Sequence, residues 1–246
     1  MAFDQRIRNE TEHGRLIARE GEEIWNWSSP AGKLRWQRRA AMFVAFIGND
    51  CKRVLEIGCG TGLFTQEICK TDNEIIAIDI SPELLSLARR RVKSEQVTFR
   101  IDNAYDSGFE DNSFDYVVGS SCLHHLDVDR ALKEIYRLLK PGGQCMFTEP
   151  NMVNPQVVLQ KNIPWLKRIA GDSPDETAFF RFALKTKIER AGFAHVSIAP
   201  FDFVHPSVPG IMLNWLVPLL NLIEKLPLLR EVGGSLAIRA TKPERK

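Results

Sequence analysis

A short apolar segment followed by a glycine-rich turn constrains the fold of this 246-residue chain more than any other part of its sequence. Residues 53–57 have the composition of a short buried strand, residues 58–62 carry glycine at alternate positions, and residues 63–70 begin a helical pattern. Such a turn lets a ligand approach bare backbone at the N-terminus of a helix. The segment therefore predicts a strand–turn–helix unit that binds a nucleotide-like cofactor.

The spacing of these glycines argues against two common cofactors. A dinucleotide-binding turn has the pattern G-x-G-x-x-G, but Leu63 occupies the last of those positions and the third glycine is Gly62. A phosphate-binding P-loop ends in Gly-Lys-Ser or Gly-Lys-Thr, and neither triplet follows the turn. Dinucleotides and nucleoside triphosphates are therefore disfavoured, which leaves a cofactor with an adenosine-like body and no pyrophosphate.

Composition narrows the function further. The chain has 33 basic and 31 acidic residues, a net charge of +2, and no long basic stripe, so we expect a small-molecule substrate and no nucleic acid partner. Five cysteines occur without a C-x-x-C pair, which is typical of reduced thiols in a cytoplasmic protein. The sequence shows no cluster of metal ligands, so no metal is expected. The polar N-terminus argues against a secretory signal.

Short apolar runs alternate with helical patterns along the rest of the chain. The predicted strands cover 53–57, 74–80, 97–102, 114–119, 144–148, 194–203 and 235–241, and the predicted helices cover 10–27, 31–47, 63–70, 82–92, 128–139 and 177–191. This alternation predicts an α/β fold with a parallel sheet covered by helices on both faces. Ligands of such sheets bind beyond the carboxyl ends of the strands.

Three regions follow from this order. Residues 1–48 form a predicted N-terminal helical cap, and residues 49–204 together with 235–246 form the cofactor-binding domain. The last two strands make an antiparallel hairpin, and an apolar helical insertion at 205–234 separates them. We expect this insertion to be a substrate lid or an interface.

Polar residues follow two of the predicted strands. Asp79 ends the second strand, where a carboxylate can accept both hydroxyls of a ribose. Asp102, Asn103 and Ala104 follow the third strand, where a carboxylate and a backbone N–H can pair with the edge of an adenine. The alternatives are a solvated carboxylate at Asp79 and ordinary turn chemistry at Asp102 and Asn103.

Several ordered motifs resemble the class I S-adenosylmethionine-dependent methyltransferases, and in particular the type 11 domain of the branch that acts on small molecules. The similarity covers about residues 50–150 and rests on 56–62, 114–118, 123–126 and 138–143. It implies a Rossmann-like, seven-stranded sheet and S-adenosylmethionine as the cofactor, with S-adenosylhomocysteine as product. The expected cofactor-binding residues are Glu56, Gly58, Cys59, Gly60, Thr61, Gly62, Asp79, Ile80, Asp102, Asn103, Ala104, Ser120 and Ser121.

His124 and His125 follow the fourth strand and are the expected catalytic residues. An imidazole titrates near neutrality and could take the proton of a hydroxyl acceptor, and we place His125 nearer the reaction centre. The alternative is a structural pair that binds backbone or the cofactor. Ser120 to Leu123 lack the Asn/Asp-Pro-Pro-aromatic segment of enzymes that methylate exocyclic amines of bases, which argues against nucleic acid methylation.

The insertion suggests the acceptor. Residues 209–223 are strongly apolar but shorter than the roughly 20 residues of a membrane span, and the apolar surface continues to 229. We therefore predict in-line methyl transfer to a small hydrophobic or lipid-like acceptor. Alternatives are a sugar or natural-product hydroxyl, a non-catalytic S-adenosylmethionine-binding protein, and a nicotinamide oxidoreductase. Contact of 209–229 with a lipid surface, and a homodimer, stay open.

The N-terminal segment 25–30, with Arg35, Arg38 and Arg39, is a candidate lid over the cofactor. One of these arginines could bind the cofactor carboxylate through two hydrogen bonds. The alternative is a solvated helix face with tryptophans that serve packing.

Overall fold

A computed structural model describes residues 2–20, 26–173 and 175–244. The described residues form a seven-stranded sheet with strand order β3-β2-β1-β4-β5-β7-β6. Its strands are β1 Arg53–Ile57, β2 Glu74–Asp79, β3 Val97–Ile101, β4 Phe114–Ser120, β5 Leu139–Pro150, β6 Ala194–Phe201 and β7 Ser235–Thr241. Only β7 runs antiparallel to its neighbours β5 and β6. The predicted α/β fold, Rossmann-like with a final antiparallel hairpin, is confirmed.

Helices cover both faces of this sheet. Their bounds are α1 Ala2–Glu20, α2 Pro30–Ile47, α3 Thr65–Ile68, α4 Pro82–Arg91, α5 Val128–Leu138, α6 Pro155–Asn162, α7 Pro164–Ile169, α8 Arg181–Arg190 and α9 Gly210–Ile223. Successive residues of a strand point to opposite faces, and Val54 and Leu55 accordingly belong to two different apolar clusters. The cluster of Val54 contains Phe43 of α2, and that of Leu55 contains Leu132 of α5.

Local signals fix the start of two helices. The Ser81 hydroxyl accepts a hydrogen bond from the Leu84 N–H at 3.2 Å, and Pro82 occupies the first turn of α4. Ser29 caps α2 in the same way through the Gly32 N–H at 2.9 Å. These caps explain why both helices begin at, or within one residue of, the predicted position.

Other boundaries differ from the sequence prediction. Strand β5 begins at Leu139 rather than 144, because Leu139 already pairs with Phe114 across a register shift. Helix α8 begins at Arg181 rather than 177, because Phe179 bonds to the backbone of Pro150 and Met152. Helices α6 and α7 were not predicted; they have no buried residues that would show a helical period.

The N-terminal helix begins earlier than predicted. It runs from Ala2 to Glu20, whereas the sequence indicated 10–27, and the interval 21–25, which includes Trp25, lies outside the described residues. Among the helices that the structure describes, none is both long and apolar enough to cross a membrane.

Candidate active site

A large cavity of about 950 Å³ lies at the carboxyl ends of β1, β2, β3 and β4. Of the predicted site residues, thirteen line this cavity: Gly58, Cys59, Gly60, Thr61, Asp79, Ile80, Asp102, Asn103, Ala104, Ser120, Ser121, His124 and His125. The volume is at the upper end of the range of small-molecule sites, so the cavity has room for a cofactor and a second small molecule. The fold thus brings together residues from four strand ends.

The glycines of the turn after β1 have separate structural roles. Gly58, Gly60 and Gly62 all have positive φ, at 67°, 53° and 78°. A Cβ on Gly58 would lie 2.8 Å from the Cys122 Cβ, and one on Gly62 would lie 3.0 Å from the Ala88 Cβ of α4. A Cβ on Gly60 would have open space around it among the described atoms. Gly58 and Gly62 therefore permit close packing, while Gly60 presents backbone to the cavity.

Asp79 is held by the backbone on both sides of its strand end. Its Oδ2 accepts from the Gly60 N–H and its Oδ1 from the Ser81 N–H, each at 2.9 Å. Burial raises the pKa of Asp79, and these two hydrogen bonds oppose that rise. The carboxylate therefore joins the glycine turn to the start of α4 at the cavity wall. Each oxygen retains a further lone pair for a ligand hydroxyl.

The turn after β3 is also preorganised. Asp102 Oδ1 accepts from the Asn103 N–H at 2.8 Å, and Asn103 Oδ1 accepts from the Tyr105 N–H at 3.0 Å. Burial raises the pKa of Asp102. The turn chemistry considered as the alternative is thus present, and the same residues face the cavity together with Ala104.

Glu56 and Gly62 lie behind the cavity wall instead of on it. Glu56 is buried in β1, and its Oε2 accepts from the Thr65 hydroxyl at 2.6 Å. Burial raises the pKa of Glu56 to about 7; the Thr65 hydrogen bond opposes this rise and the nearby charge of Asp79 adds to it. Glu56 therefore supports the glycine turn from behind.

The two histidines lie in a single 3₁₀ turn, Leu123–His125, which a buried carboxylate holds. Glu149 at the end of β5 accepts from the N–H groups of Cys122 and Leu123 at 3.0 and 2.8 Å. The His124 Nδ1 lies 2.6 Å from Glu149 Oε2. Burial alone would lower the pKa of His124, but the hydrogen bond to Glu149 and the negative charge of Glu176 raise it to about 9.

His125 is less enclosed than His124 and contacts the N-terminal helix. Its Nδ1 lies 2.8 Å from Glu10 Oε2 of α1 and 3.6 Å from Glu176 Oε1. The two imidazole rings lie 4.2 Å apart between centroids, so they form one unit at the edge of the cavity. Burial would raise the pKa of Glu10, but the interaction with His125 lowers it below the usual value.

Sequence reasoning missed the acidic and basic residues around this pair, namely Glu10, His13, Glu149, Lys161, Asp172 and Glu176. Only Glu149 had a signal, since it is an acidic residue at the carboxyl end of a predicted buried strand. The sequence also showed no group of metal ligands. The fold assembles one from the described residues, because ligand atoms of His124, His125 and Glu176 all lie within 4.8 Å of one another.

Burial and neighbouring charges shift the pKa of three other members of this group. Burial lowers the pKa of His13, although the charge of Glu176 opposes the shift. It would raise the pKa of Glu176, but the interactions with His124, His125 and Lys161 lower it well below the usual range. Asp172 has a raised pKa because it is buried and close to the negative charge of Glu176.

The arginines of α2 bind carboxylates of the protein. Arg35 and Arg39 both contact Asp202, at 2.9 and 2.7 Å, and Arg38 pairs with Glu224. Burial lowers the pKa of Arg39 to about 10, and the charge of Asp202 opposes this. Arg35 and Arg39 line the cavity, but both are already paired within it.

The apolar insertion does not form the roof of the cavity in this structure. Within the described part of the chain, the cavity wall includes residues 203–207 and 234–235 but none between 208 and 233. Helix α9 has no buried residue, and Ile211, Trp215 and Leu222 are more than half exposed. Apolar residues of the wall include Ile7 and Ile17 of α1, and Leu159, Leu166 and Ile169 of α6 and α7.

The fold and the strand-end site define a Rossmann-like protein with a cavity for a nucleotide-like cofactor and a second molecule. A family model described as "Methyltransferase domain" matches residues 55–147. A demethylmenaquinone methyltransferase of Tropheryma whipplei is 33% identical over 147 residues, which is 56% of this chain and 60% of that protein. The chain thus matches less than two thirds of this relative's length.

A second relative and a solved structure extend the comparison. The demethylmenaquinone methyltransferase of Lactiplantibacillus plantarum is 31% identical over 192 residues, covering 68% of this chain and 80% of that protein. A Haloferax volcanii methyltransferase, solved in complex with the Trm112 methyltransferase activator, has 18% identity and a TM-score of 0.68; the similarity covers 96% of this chain and 98% of that chain, and shows the fold alone. The chain belongs to the class I S-adenosylmethionine-dependent methyltransferases, with a type 11 methyltransferase domain.

Proposed function

We propose that this protein transfers the methyl group of S-adenosylmethionine to a small hydrophobic, lipid-like acceptor by in-line displacement. The observation that carries the proposal is the mixed lining of the cavity. Polar strand-end residues of the methyltransferase motifs line it together with apolar side chains of α1, α6 and α7. The demethylmenaquinone methyltransferases among its relatives support an acceptor of this chemical class.

On the cofactor side, we assign roles by strand end. Asp79 binds the ribose hydroxyls, and Asp102 with the backbone at Asn103 and Ala104 binds the adenine. The turn at 58–61 lies beside the amino-acid end of the cofactor, where Gly60 leaves room for ligand atoms. Ile80, Ser120 and Ser121 complete this wall. Glu56 and Gly62 act from behind it, by holding the turn in shape.

On the acceptor side, the two histidines have different proposed roles. Both ring nitrogens of His124 face carboxylates, Nδ1 toward Glu149 at 2.6 Å and Nε2 toward Glu176 at 3.7 Å, so neither is free for an acceptor. We therefore assign His124 to holding the turn. His125 is partly exposed and lines the cavity, and we propose it as the base for a hydroxyl acceptor.

The two flanking regions also have proposed roles. Residues 1–48 act as a cap, because Arg6, Glu10 and His13 of α1 line the cavity. Within residues 205–234, helix α9 acts as an interface, because it is exposed and apolar and its residues do not line the cavity. A lipid surface or a second copy of the chain would suit this face.

The decisive experiment supplies S-adenosylmethionine with an isotopically labelled methyl group to the purified protein. Acceptors are a short-chain naphthoquinol lacking one ring methyl group, a long-chain phenol and a set of sugars, with product identified by mass spectrometry. We expect label in a hydrophobic acceptor. Transfer to sugars alone would refute the lipid-like class. Cofactor binding by calorimetry without transfer to any acceptor in a cell extract would indicate a non-catalytic binding protein.

A further inference from the structure

One edge of the cavity joins imidazoles and carboxylates from four separate parts of the chain. The Glu176 carboxylate is the centre of this cluster. Its oxygens lie 3.6 Å from His13 Nε2, 3.6 Å from His125 Nδ1 and 3.7 Å from His124 Nε2. No sequence motif connects these residues, and the proposed methyl transfer uses only His125.

These distances are unusual for direct contacts. They exceed the 2.7–3.2 Å of an N–H···O hydrogen bond. Two ligand atoms that each lie about 2.1 Å from one tetrahedral ion are about 3.4 Å apart. The separations in the cluster are therefore closer to those of atoms that share an ion than to those of atoms that share a proton.

Two nitrogens of the cluster, His13 Nε2 and His125 Nδ1, make no hydrogen bond among the described residues. The Nε2 of His13 is buried without a hydrogen bond among the described residues, and the His13 side chain is only 8% exposed. A buried polar atom that makes no hydrogen bond destabilises the folded protein. This nitrogen points at the Glu176 carboxylate, where a bound cation would satisfy it.

The surroundings of His124 and Glu176 match those of metal ligands. A histidine that binds a metal normally places its other ring nitrogen against a carboxylate, and His124 Nδ1 is 2.6 Å from Glu149. Glu176 is oriented in turn by Lys161 Nζ at 2.6 Å and by the Ser173 N–H at 2.7 Å. These contacts hold the three potential ligands in place before any ion arrives.

The charge of the cluster favours a cation. Four carboxylates with side chains at most 13% exposed surround it, those of Glu10, Glu149, Asp172 and Glu176. Lys161, which bridges Asp172 and Glu176, is the amine that faces them. Buried charges need compensation, so further positive charge is required, from protons on the imidazoles or from a divalent ion.

We propose that His124, His125 and Glu176 bind a divalent transition-metal ion, with His13 and Glu10 of α1 as additional ligands. Two imidazoles and one carboxylate are a donor set that suits Zn²⁺. A bound ion would fasten α1 to the turn after β4 and to the segment before α8. It would bind the His125 Nδ1 that faces Glu176 and leave Nε2 as the nitrogen for the base role proposed above.

The test is a calorimetric titration of Zn²⁺ into chelator-treated full-length protein without cofactor or acceptor. We expect one ion per chain, with affinity weakened at least tenfold in Glu176→Gln and in His13→Gln. His195→Asn is the matched control, because His195 is exposed on β6 and lies outside the cavity wall. Circular dichroism would verify that each variant folds.

Titration with Co²⁺ separates this site from the five free cysteines. We expect visible bands of a nitrogen- and oxygen-bound ion without the thiolate charge-transfer band. Absence of binding, binding that both variants retain, or a thiolate spectrum would overturn the proposal and leave protons as the compensating charge. Because no acceptor is present, such a result would leave the proposed methyl transfer untouched.

Discussion

The parts of the cavity that we propose for the cofactor and for the acceptor, called here the cofactor wall and the acceptor edge, are built in different ways. The cofactor wall consists of strand ends and the few residues that follow each of them, so each part of it is local in the sequence. The acceptor edge joins α1, the turn after β4, the end of β5 and the segment around Glu176, which only the tertiary structure brings together. The first wall follows from the fold class, whereas the second depends on contacts between residues that are far apart in the sequence.

The largest expected effect concerns the acceptor edge, where a single carboxylate holds the histidine turn. Glu149→Ala removes the acceptor of the Cys122 and Leu123 N–H groups and the partner of His124 Nδ1. Breaking a buried charged pair costs about 3–5 kcal/mol, and we expect a loss of this size in the free energy of urea unfolding.

Glu149→Gln is the matched control, because it keeps one acceptor oxygen and should lose less stability. A loss below about 1 kcal/mol in Glu149→Ala would mean that water replaces these hydrogen bonds. The acceptor edge would then be a looser assembly than its geometry indicates.

The second prediction tests the support behind the cofactor wall. Burial raises the folded pKa of Glu56 to about 7 from its usual 4.5. Between these values the folded protein keeps a proton that the unfolded chain loses, so stability falls as pH rises from 4.5 to 7. At one pKa unit per 1.36 kcal/mol, this contribution is about 3 kcal/mol.

Glu56→Gln cannot ionise and should lack this contribution to the pH dependence. The measurement is urea unfolding of both proteins at several pH values between 4.5 and 8. If the free energy of unfolding had the same pH dependence in both proteins, Glu56 would be ionised in the folded protein over this whole pH range. Contacts other than the hydrogen bond from Thr65 would then offset the cost of burying its charge.

The cofactor wall could be predicted from the sequence better than the acceptor edge. The glycine turn, Asp79 and the turn at Asp102 were located because strand ends of a parallel sheet share one edge. Glu10 and Glu176 were not, since 166 positions separate them and neither follows a strand. Helices α6 and α7 were missed because exposed helices show no apolar period.

The third prediction concerns His125, the proposed base at the acceptor edge. If His125 takes the proton of a hydroxyl acceptor, His125→Ala should lower kcat about 100-fold, or about 2.7 kcal/mol. Cofactor affinity should change little, because the loss is confined to the acceptor edge. His195→Asn is the control, because His195 is an exposed residue of β6. A change in kcat below threefold would show that proton removal does not depend on His125.

The smallest expected effect concerns the cofactor wall itself. Asp79→Ala should weaken S-adenosylmethionine binding at least tenfold, about 1.4 kcal/mol, as measured by calorimetry. Two losses contribute, since the ribose hydroxyls lose their acceptor and the Gly60 N–H loses the carboxylate that orients the turn. Asp79→Asn separates these losses, because an amide oxygen can still accept from the backbone.

Asp106→Ala is the control for this measurement, because Asp106 is exposed just beyond the third strand end and does not line the cavity. An unchanged affinity in Asp79→Ala would remove Asp79 from the cofactor site. Asp79, which the local sequence placed correctly, would then only accept hydrogen bonds from the backbone N–H groups of Gly60 and Ser81. Recognition of the cofactor would depend instead on contacts between residues that are far apart in the sequence.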